Sequence, residues 1–70
     1  HAALRRWRRE RARVDGVPAY VVFHDRTLAE IVRRRPATRD ELAAVVGIGP
    51  AKLDRYGDDV LAALAAAPAA

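Results

Sequence analysis

The strongest constraint on the fold is the segment Gly47-Ile48-Gly49-Pro50, which separates two apolar runs with helical spacing. Glycine at position 47 suits a helix C-terminus, because it adopts the left-handed backbone that closes a last turn. Proline at position 50 suits a helix start, because the backbone N–H that proline lacks would have no hydrogen-bond partner within the helix at that position. Ile48 stands between the two glycines and is expected to turn inward. The segment therefore predicts a tight helix–hairpin–helix unit.

This hairpin has the chemistry of a phosphate contact. Gly47 and Gly49 allow the backbone to approach a partner closely, and the free N–H groups at the start of the next helix favour an anion. Lys52 and Arg55 add positive charge near that helix start. A compact helix connection whose N–H groups meet only water would use the same residues. The loop alone leaves both interpretations open.

The length and composition indicate one small domain over residues 1–70. Without cysteine the chain has neither disulfides nor thiolate metal sites. Its large apolar side chains suffice for a small helical bundle but not for the deep pocket of an enzyme. No run is long enough for a membrane span, and no segment is typical of a signal peptide. The start at His1, without methionine, indicates an excised part of a longer protein, with a core at about 4–64 and a frayed tail at 65–70.

Positive charge is concentrated in the first part of the chain. Residues 1–20 carry six arginines against two acidic residues, and residues 21–40 carry five against three. Residues 41–70 reverse the balance, with two cations against four acidic residues. A basic half favours a polyanionic partner such as nucleic acid. A GC-rich genome, which enriches arginine and alanine, explains the same composition without a partner.

Apolar spacing predicts a first helix over residues 3–15 and a short helical turn that opens at Pro18. The inner stripe of the first helix is expected to hold Leu4, Trp7, Arg11, Ala12 and Val14. Segment 17–23 has the β-branched and aromatic content of a strand. The chain offers no second strand to pair with it, so we expect a helical turn there. Its buried side chains would be Val21, Val22 and Phe23.

Three further helices are expected in the rest of the chain. One runs over about 26–35, with Asp25 or His24 as its cap and with Pro36 as its end. The next starts at a capping box, with Thr38 as the N-cap and Glu41 at N3, and continues to Val46. The last runs from Pro50 to about residue 66, and Gly57 inside it is expected to mark a bend.

Several side chains have both a structural and a nucleic-acid-binding interpretation. Trp7 lies on the inner stripe and is expected in the core. Tyr20 is either a half-buried ring or a stacking platform for an unpaired base. Residues 33–35 are arginines in a last helical turn, where cations complement the helix dipole or contact phosphates. His24 has no second ligand at a metal-like spacing, and a cap or surface role is expected.

The order of these motifs resembles the HRDC domain, the helicase-and-RNase-D C-terminal module. The matching elements span about residues 4–64: Leu-x-x-Trp-Arg, GVPAYVVF, Asp-x-Thr-Leu, Pro-x-Thr, Glu-Leu, Gly-Ile-Gly, Lys-Leu and Tyr-Gly. The resemblance implies an all-α, compact five-helix bundle that contains a helix–hairpin–helix-like GIG turn. It also implies a domain without catalytic residues, metal or cofactor.

The resemblance further implies an accessory domain of a RecQ-type DNA helicase. Such a domain would bind single-stranded or branched DNA weakly, tune substrate choice and work beside the helicase core of the same polypeptide. We expect a monomer in the bacterial cytoplasm, associated with the nucleoid. The expected nucleic-acid-binding residues are Tyr20, Arg33, Arg34, Arg35, Arg39, Gly47, Gly49, Lys52 and Arg55. Asp54, Asp58 and Asp59 lie close to Lys52 and Arg55 and weaken the hairpin as the main contact.

Two other functions agree with the same features. The first is a protein-interaction or intramolecular regulatory module with no DNA binding of its own. The second is the RNA-binding domain of an RNase D-type exonuclease. An enzymatic role is not expected, because no pair of acids, nucleophile with a base, or metal cluster has a usable spacing.

Overall fold

The computed structural model describes residues 2–66, which form five helices and no strand. The helices are α1 (Ala2–Asp15), α2 (Ala19–Val22), α3 (Asp25–Arg34), α4 (Arg39–Ala43) and α5 (Pro50–Ala66). This confirms the all-α, five-helix class. Of the tail expected to fray, residues 65 and 66 belong to α5, and residues 67–70 lie outside the described residues.

Helix α1 buries Leu4 and Ala12 of the expected stripe, together with Arg8. Leu4, Arg8 and Ala12 are its buried residues, which recur every fourth position. Val14 was predicted to face inward and is exposed. Arg8 was not part of the expected stripe, yet it is only 9% exposed. The prediction was wrong at these two positions because apolar spacing alone does not fix how the helix is turned about its own axis. The hydrogen bond to Phe23 O and the ion pair with Asp25 fix it by drawing Arg8 inward.

Helix α2 is a single turn that follows Pro18, as predicted. Val22 and Phe23 are buried at its C-terminal end, whereas Val21 is exposed, contrary to the prediction. A four-residue helix has only one buried side, so adjacent Val21 and Val22 cannot both use it. His24 is the N-cap of α3 and makes no capping hydrogen bond through its side chain. The acidic Asp25 lies in the first turn of α3 instead, where it complements the helix dipole.

Helix α4 begins with half of the expected capping box. The Glu41 backbone N–H donates to Thr38 Oγ1 at 3.1 Å, but the Glu41 carboxylate accepts from the Ala37 N–H rather than from that of Thr38. The helix ends at Ala43, three residues before the predicted end at Val46. Backbone bonds across three residues, such as Val45 N–H to Leu42 O at 3.0 Å, tighten the chain there.

The tight turns that follow α4 form the hairpin between α4 and α5. Val45 and Ile48 are buried, as expected for Ile48, while Val46 points outward. Gly47 has a φ of 96°, which confirms the left-handed backbone predicted at this glycine. Helix α5 then starts at Pro50, as predicted, and continues without a break through the buried Gly57.

One hydrophobic core joins all five helices and the hairpin. Burial of a large apolar side chain contributes about 1.5–3 kcal/mol, so the core provides the main stabilisation. Its buried members are Leu4, Ala12, Val22, Phe23, Leu28, Ile31, Leu42, Val45, Ile48, Tyr56 and Val60.

Three aromatic rings from distant parts of the chain meet beside this core. Trp7 lies 5.9 Å from Phe23 and 5.7 Å from Tyr56, and Phe23 lies 5.6 Å from Tyr56, between ring centroids. The edge-to-face geometry of the Tyr56 contacts is favourable for aromatic pairs. Trp7 thus has the structural role predicted for it.

Candidate nucleic-acid interface

An open groove of about 780 Å³ lies where α1, α2, the start of α3 and the hairpin meet. Three separate stretches of the sequence form its walls. Its lining residues are Arg8, Ala19, Tyr20, residues 24–27, Val46 and Gly47. Two residues predicted for the site, Tyr20 and Gly47, are therefore brought together across 27 positions of sequence. We call this feature the Tyr20 groove.

Tyr20 presents its ring to the groove. The residue is 60% exposed, because α2 directs Val22 into the core and leaves Tyr20 on the outer side. Its ring stacks on that of His24, with 6.1 Å between centroids and 30° between planes. The pair offers aromatic surface to a flat ligand, since base–aromatic stacking needs no particular base.

Gly47 lets the hairpin lie directly against α3. A Cβ atom at this position would overlap Thr27 Oγ1, so only glycine fits without a shift of the neighbour. Thr27 Oγ1 lies 3.5 Å from Val46 O, at the long limit of a hydrogen bond. Gly49 differs, because a Cβ there would meet open space. The two glycines of the hairpin therefore have different roles.

Arg8 lines the Tyr20 groove and was missed as a site residue. Its Nη1 donates to Phe23 O at 2.8 Å, and its Nη2 lies 2.8 Å from Asp25 Oδ1. The hydrogen bond and charge of Arg8 hold the pKa of the Asp25 carboxyl below its ordinary value. The spacing of Arg8 from Leu4 and Ala12, four residues on either side, agrees with its burial, but its partners Phe23 and Asp25 are not indicated by any local pattern.

The predicted arginines of α3 lie at the other end of that helix. Glu30 binds both Arg33, at 2.9 Å, and Arg34, at 3.2 Å. These hydrogen bonds lower the pKa of Glu30 from 4.5 to about 2, so its carboxylate is ionised at neutral pH. Arg35 ends the helix with a left-handed backbone (φ 46°) and an N–H bond to Ile31 O. Nine residues of helix, about 13 Å, separate Asp25 from Arg34.

The other predicted cations lie on α4 and α5. Arg39 joins the two helices, with Nη1 at 2.8 Å from Asp58 Oδ1 and Nη2 at 3.4 Å from Asp54 Oδ1. Lys52 Nζ lies 5.4 Å from the centroid of the Phe23 ring, and Arg55 Cζ lies 5.6 Å from that of Tyr56. Both distances suit cation–π attraction. The structure thus distributes the predicted residues over several surfaces: Tyr20 and Gly47 share the groove, and Arg33 and Arg34 share the carboxylate of Glu30.

The described residues lack two other kinds of feature, a metal-binding cluster and a membrane-spanning helix. Between residues 2 and 66, no three histidine, aspartate or glutamate side chains are close enough to hold a metal ion. No helix within that range is long and apolar enough to cross a membrane.

Comparison with known proteins gives a consistent family. The family described as the HRDC domain matches residues 2–64. Over 58 residues the chain is 48% identical to the ATP-dependent DNA helicase UvrD2 of Mycobacterium bovis, and over 54 residues it is 44% identical to the ATP-dependent DNA helicase RecQ of Bacillus subtilis. These alignments cover 83% and 77% of this chain but 8% and 9% of the relatives. The chain therefore spans less than a tenth of their length.

A solved structure gives the same result for the fold. The chain superimposes on HRDC domain 3 of RecQ from D. radiodurans with a TM-score of 0.87 and 41% sequence identity. The match covers 90% of this chain and 83% of that domain.

Proposed function

The chain belongs to the HRDC domain family, and from that premise we propose that it binds single-stranded or branched DNA for a helicase. HRDC domains are non-catalytic accessory domains of helicases, and this domain is not itself an enzyme. The binding would be weak and would tune which DNA structures the parent protein engages.

The parent is proposed to be an ATP-dependent DNA helicase that acts in the bacterial cytoplasm, at the nucleoid. The relatives named above are DNA helicases of two kinds, RecQ and UvrD2, which favours DNA over RNA as the ligand. The helicase core of the same polypeptide would be the second partner. The domain itself would act as a monomer.

The observation that carries this proposal is the exposed ring of Tyr20 in the groove. Tyr20 is 60% exposed and lies open beside His24 and Gly47. Stacking of one base on such a ring is worth about 1–3 kcal/mol. The backbone at Gly47 would allow the strand to come close.

The predicted cations would supply phosphate contacts of unequal strength. Arg35, Lys52 and Arg55 bind no carboxylate among residues 2–66 and are ready to meet a phosphate. An existing ion pair with a carboxylate would first have to break at Arg33, Arg34 and Arg39 before these side chains could bind a phosphate. Contacts of this electrostatic kind give dissociation constants of roughly 10⁻⁴–10⁻⁶ M at physiological salt.

An NMR titration with a short single-stranded oligonucleotide tests the proposal. We expect shifts at Tyr20, His24 and Gly47 that decrease as salt is raised. Tyr20→Ala is expected to weaken binding by about 1–3 kcal/mol, while Tyr20→Phe, which keeps the ring, binds as the wild type does. Absence of any shift at low salt, or equal affinity of Tyr20→Ala, would contradict the proposal.

A second candidate is a docking module for the helicase core. Val46 is 71% exposed and adds apolar surface to the Tyr20 groove, which suits a protein partner as well as a base. This alternative predicts no DNA-induced shifts in the domain. It predicts instead that Val46→Asp weakens the association of the domain with its own helicase core.

A further inference from the structure

The arginines of this domain fall into two groups by their ion pairs. Those of one group each bind a carboxylate: Arg8, Arg11, Arg13, Arg33, Arg34 and Arg39. The other six are exposed and have no carboxylate partner in the described part of the chain: Arg5, Arg6, Arg9, Arg26, Arg35 and Arg55. A phosphate can bind to this second group without first displacing an acidic side chain.

Two exposed arginines, Arg5 and Arg9, flank the groove-lining Arg8 along α1. They are four residues apart, so their side chains follow one line along the helix. That line runs beside Arg8, whose guanidinium reaches Asp25 at the start of α3. The charge of Arg5 also lowers the pKa of Asp25, which indicates that Arg5 is near the same end of α3.

Arg26 extends this basic surface into the groove. It lies in the first turn of α3, lines the groove and follows directly after Asp25. His24 lies on the other side of Asp25 and stacks on Tyr20. Arg26 and the ion pair between Arg8 and Asp25 therefore line the groove together with the aromatic pair.

We infer that single-stranded DNA crosses α1 along Arg5 and Arg9, passes Arg26 and places one base against the Tyr20–His24 pair. This inference rests on the proposed function and names the phosphate track, which lies on α1 rather than at the C-terminal end of α3. Arg5 and Arg9 are about 6 Å apart along the helix axis, a distance that suits successive phosphates of an extended strand.

The competing track at the end of α3 is weaker for a specific reason. Glu30 forms ion pairs with Arg33 and Arg34 and remains ionised at neutral pH. A strand there would approach a carboxylate as well as two arginines. It would also be distant from the exposed ring of Tyr20, because Arg34 ends α3 while the groove lies at the start of that helix.

Two triple variants with equal charge change test the track. The first is Arg5→Gln, Arg9→Gln and Arg26→Gln; the matched control is Arg33→Gln, Arg34→Gln and Arg35→Gln. Fluorescence anisotropy with a labelled oligodeoxythymidine gives the dissociation constant over a range of salt concentrations. We expect the first triple to bind about tenfold more weakly at low salt and the control to lose less than about threefold.

The salt dependence provides a second readout. Each phosphate contact to a single strand contributes about 0.7 to the slope of log K against log salt, so the first triple should reduce the slope by about 2. The control should leave the slope nearly unchanged. Circular dichroism verifies that both triples are folded; if the first is not, Arg5→Gln and Arg9→Gln are compared singly with Arg33→Gln.

The possible results test the α1 phosphate track and the proposed DNA binding separately. Equal losses in the two triples, or a larger loss in the control, would overturn the α1 track while wild-type binding and its loss in Tyr20→Ala still support DNA binding. No binding by the wild type at low salt would overturn both.

Discussion

The Arg8 guanidinium donates a 2.8 Å hydrogen bond to the carbonyl oxygen of Phe23, 15 residues further along the chain. Phe23 and His24 are the only residues between α2 and α3. A second contact from Arg8 reaches Asp25, the first residue of α3. The buried side chain of Arg8 thus fixes the short connection between α2, which carries Tyr20, and α3.

Arg8→Met is expected to destabilise the domain although it replaces a charge by an apolar side chain of similar length. The substitution leaves the Phe23 carbonyl without its donor and Asp25 without its partner. Loss of a partner for a buried polar group costs about 1–3 kcal/mol, which urea denaturation would measure. Arg9→Met, on the exposed side of the same helix, is the control and should stay within about 0.5 kcal/mol of the wild type.

Gly47→Ala is expected to destabilise the hairpin, and Gly49→Ala is not. The left-handed backbone at position 47 disfavours a side chain, and its Cβ would overlap Thr27 Oγ1. We expect a loss of about 1–3 kcal/mol in the free energy of unfolding. At position 49 a Cβ meets open space, and the stability should change little. Thermal melts of the two variants check this, and equal melting temperatures would contradict the assigned roles.

Tyr56→Phe is expected to loosen the contact between α1 and α5. The Tyr56 hydroxyl donates to Asp15 Oδ2 at 3.0 Å, and Asp15 also pairs with Arg11. A hydrogen bond to a charged group contributes about 1.5–3 kcal/mol, so the free energy of unfolding should fall by up to that amount. Tyr20→Phe removes a hydroxyl from an exposed ring and should leave stability unchanged. A comparable loss in both variants would argue against the Asp15 contact.

Acid should weaken the domain through Glu30. Its pKa in the folded state is about 2, below the ordinary 4.5, because Arg33 and Arg34 donate hydrogen bonds to it. The unfolded chain therefore takes up the proton first as the pH falls. The stabilisation is complete above pH 4.5 and is lost as the pH approaches 2.

A comparison with Glu30→Gln isolates this effect from other carboxyls. The difference in unfolding free energy between wild type and variant, from denaturant titrations, should be constant above pH 5 and should shrink steadily toward pH 2. A difference that does not depend on pH would show that Glu30 contributes nothing through its charge.

Local signals in the sequence were sufficient for the helices and the hairpin. Pro18, Thr38 and Pro50 mark helix starts, and Gly47 marks a left-handed turn, because each acts through its own backbone chemistry. The predicted end of α4 was three residues too late. Val45 and Val46 continue the apolar spacing of the helix, so the sequence pattern does not reveal that the helix ends at Ala43. The burial of Arg8 depends on Phe23 and Asp25, which no local pattern identifies as its partners.

The candidate site was less accessible to sequence analysis than the fold. That Tyr20 and Gly47 line one groove depends on the packing of the hairpin against Thr27 of α3, which sequence spacing does not encode. The pairing of Glu30 with Arg33 and Arg34 was predictable from the sequence, because residues three and four positions apart meet on a helix. The contact of Arg39 with α5 was not, because it joins positions 15 and 19 residues apart.

The meeting of Trp7 with Tyr56 gives the domain an internal optical probe. Trp7 is its single tryptophan, and the two rings are 5.7 Å apart although 49 positions separate them in sequence. At this distance light absorbed by the tyrosine is passed to the tryptophan, whereas in an unfolded chain the donor and acceptor separate. Emission from Trp7 after tyrosine excitation therefore reports the closure of α5 onto α1 without any attached dye.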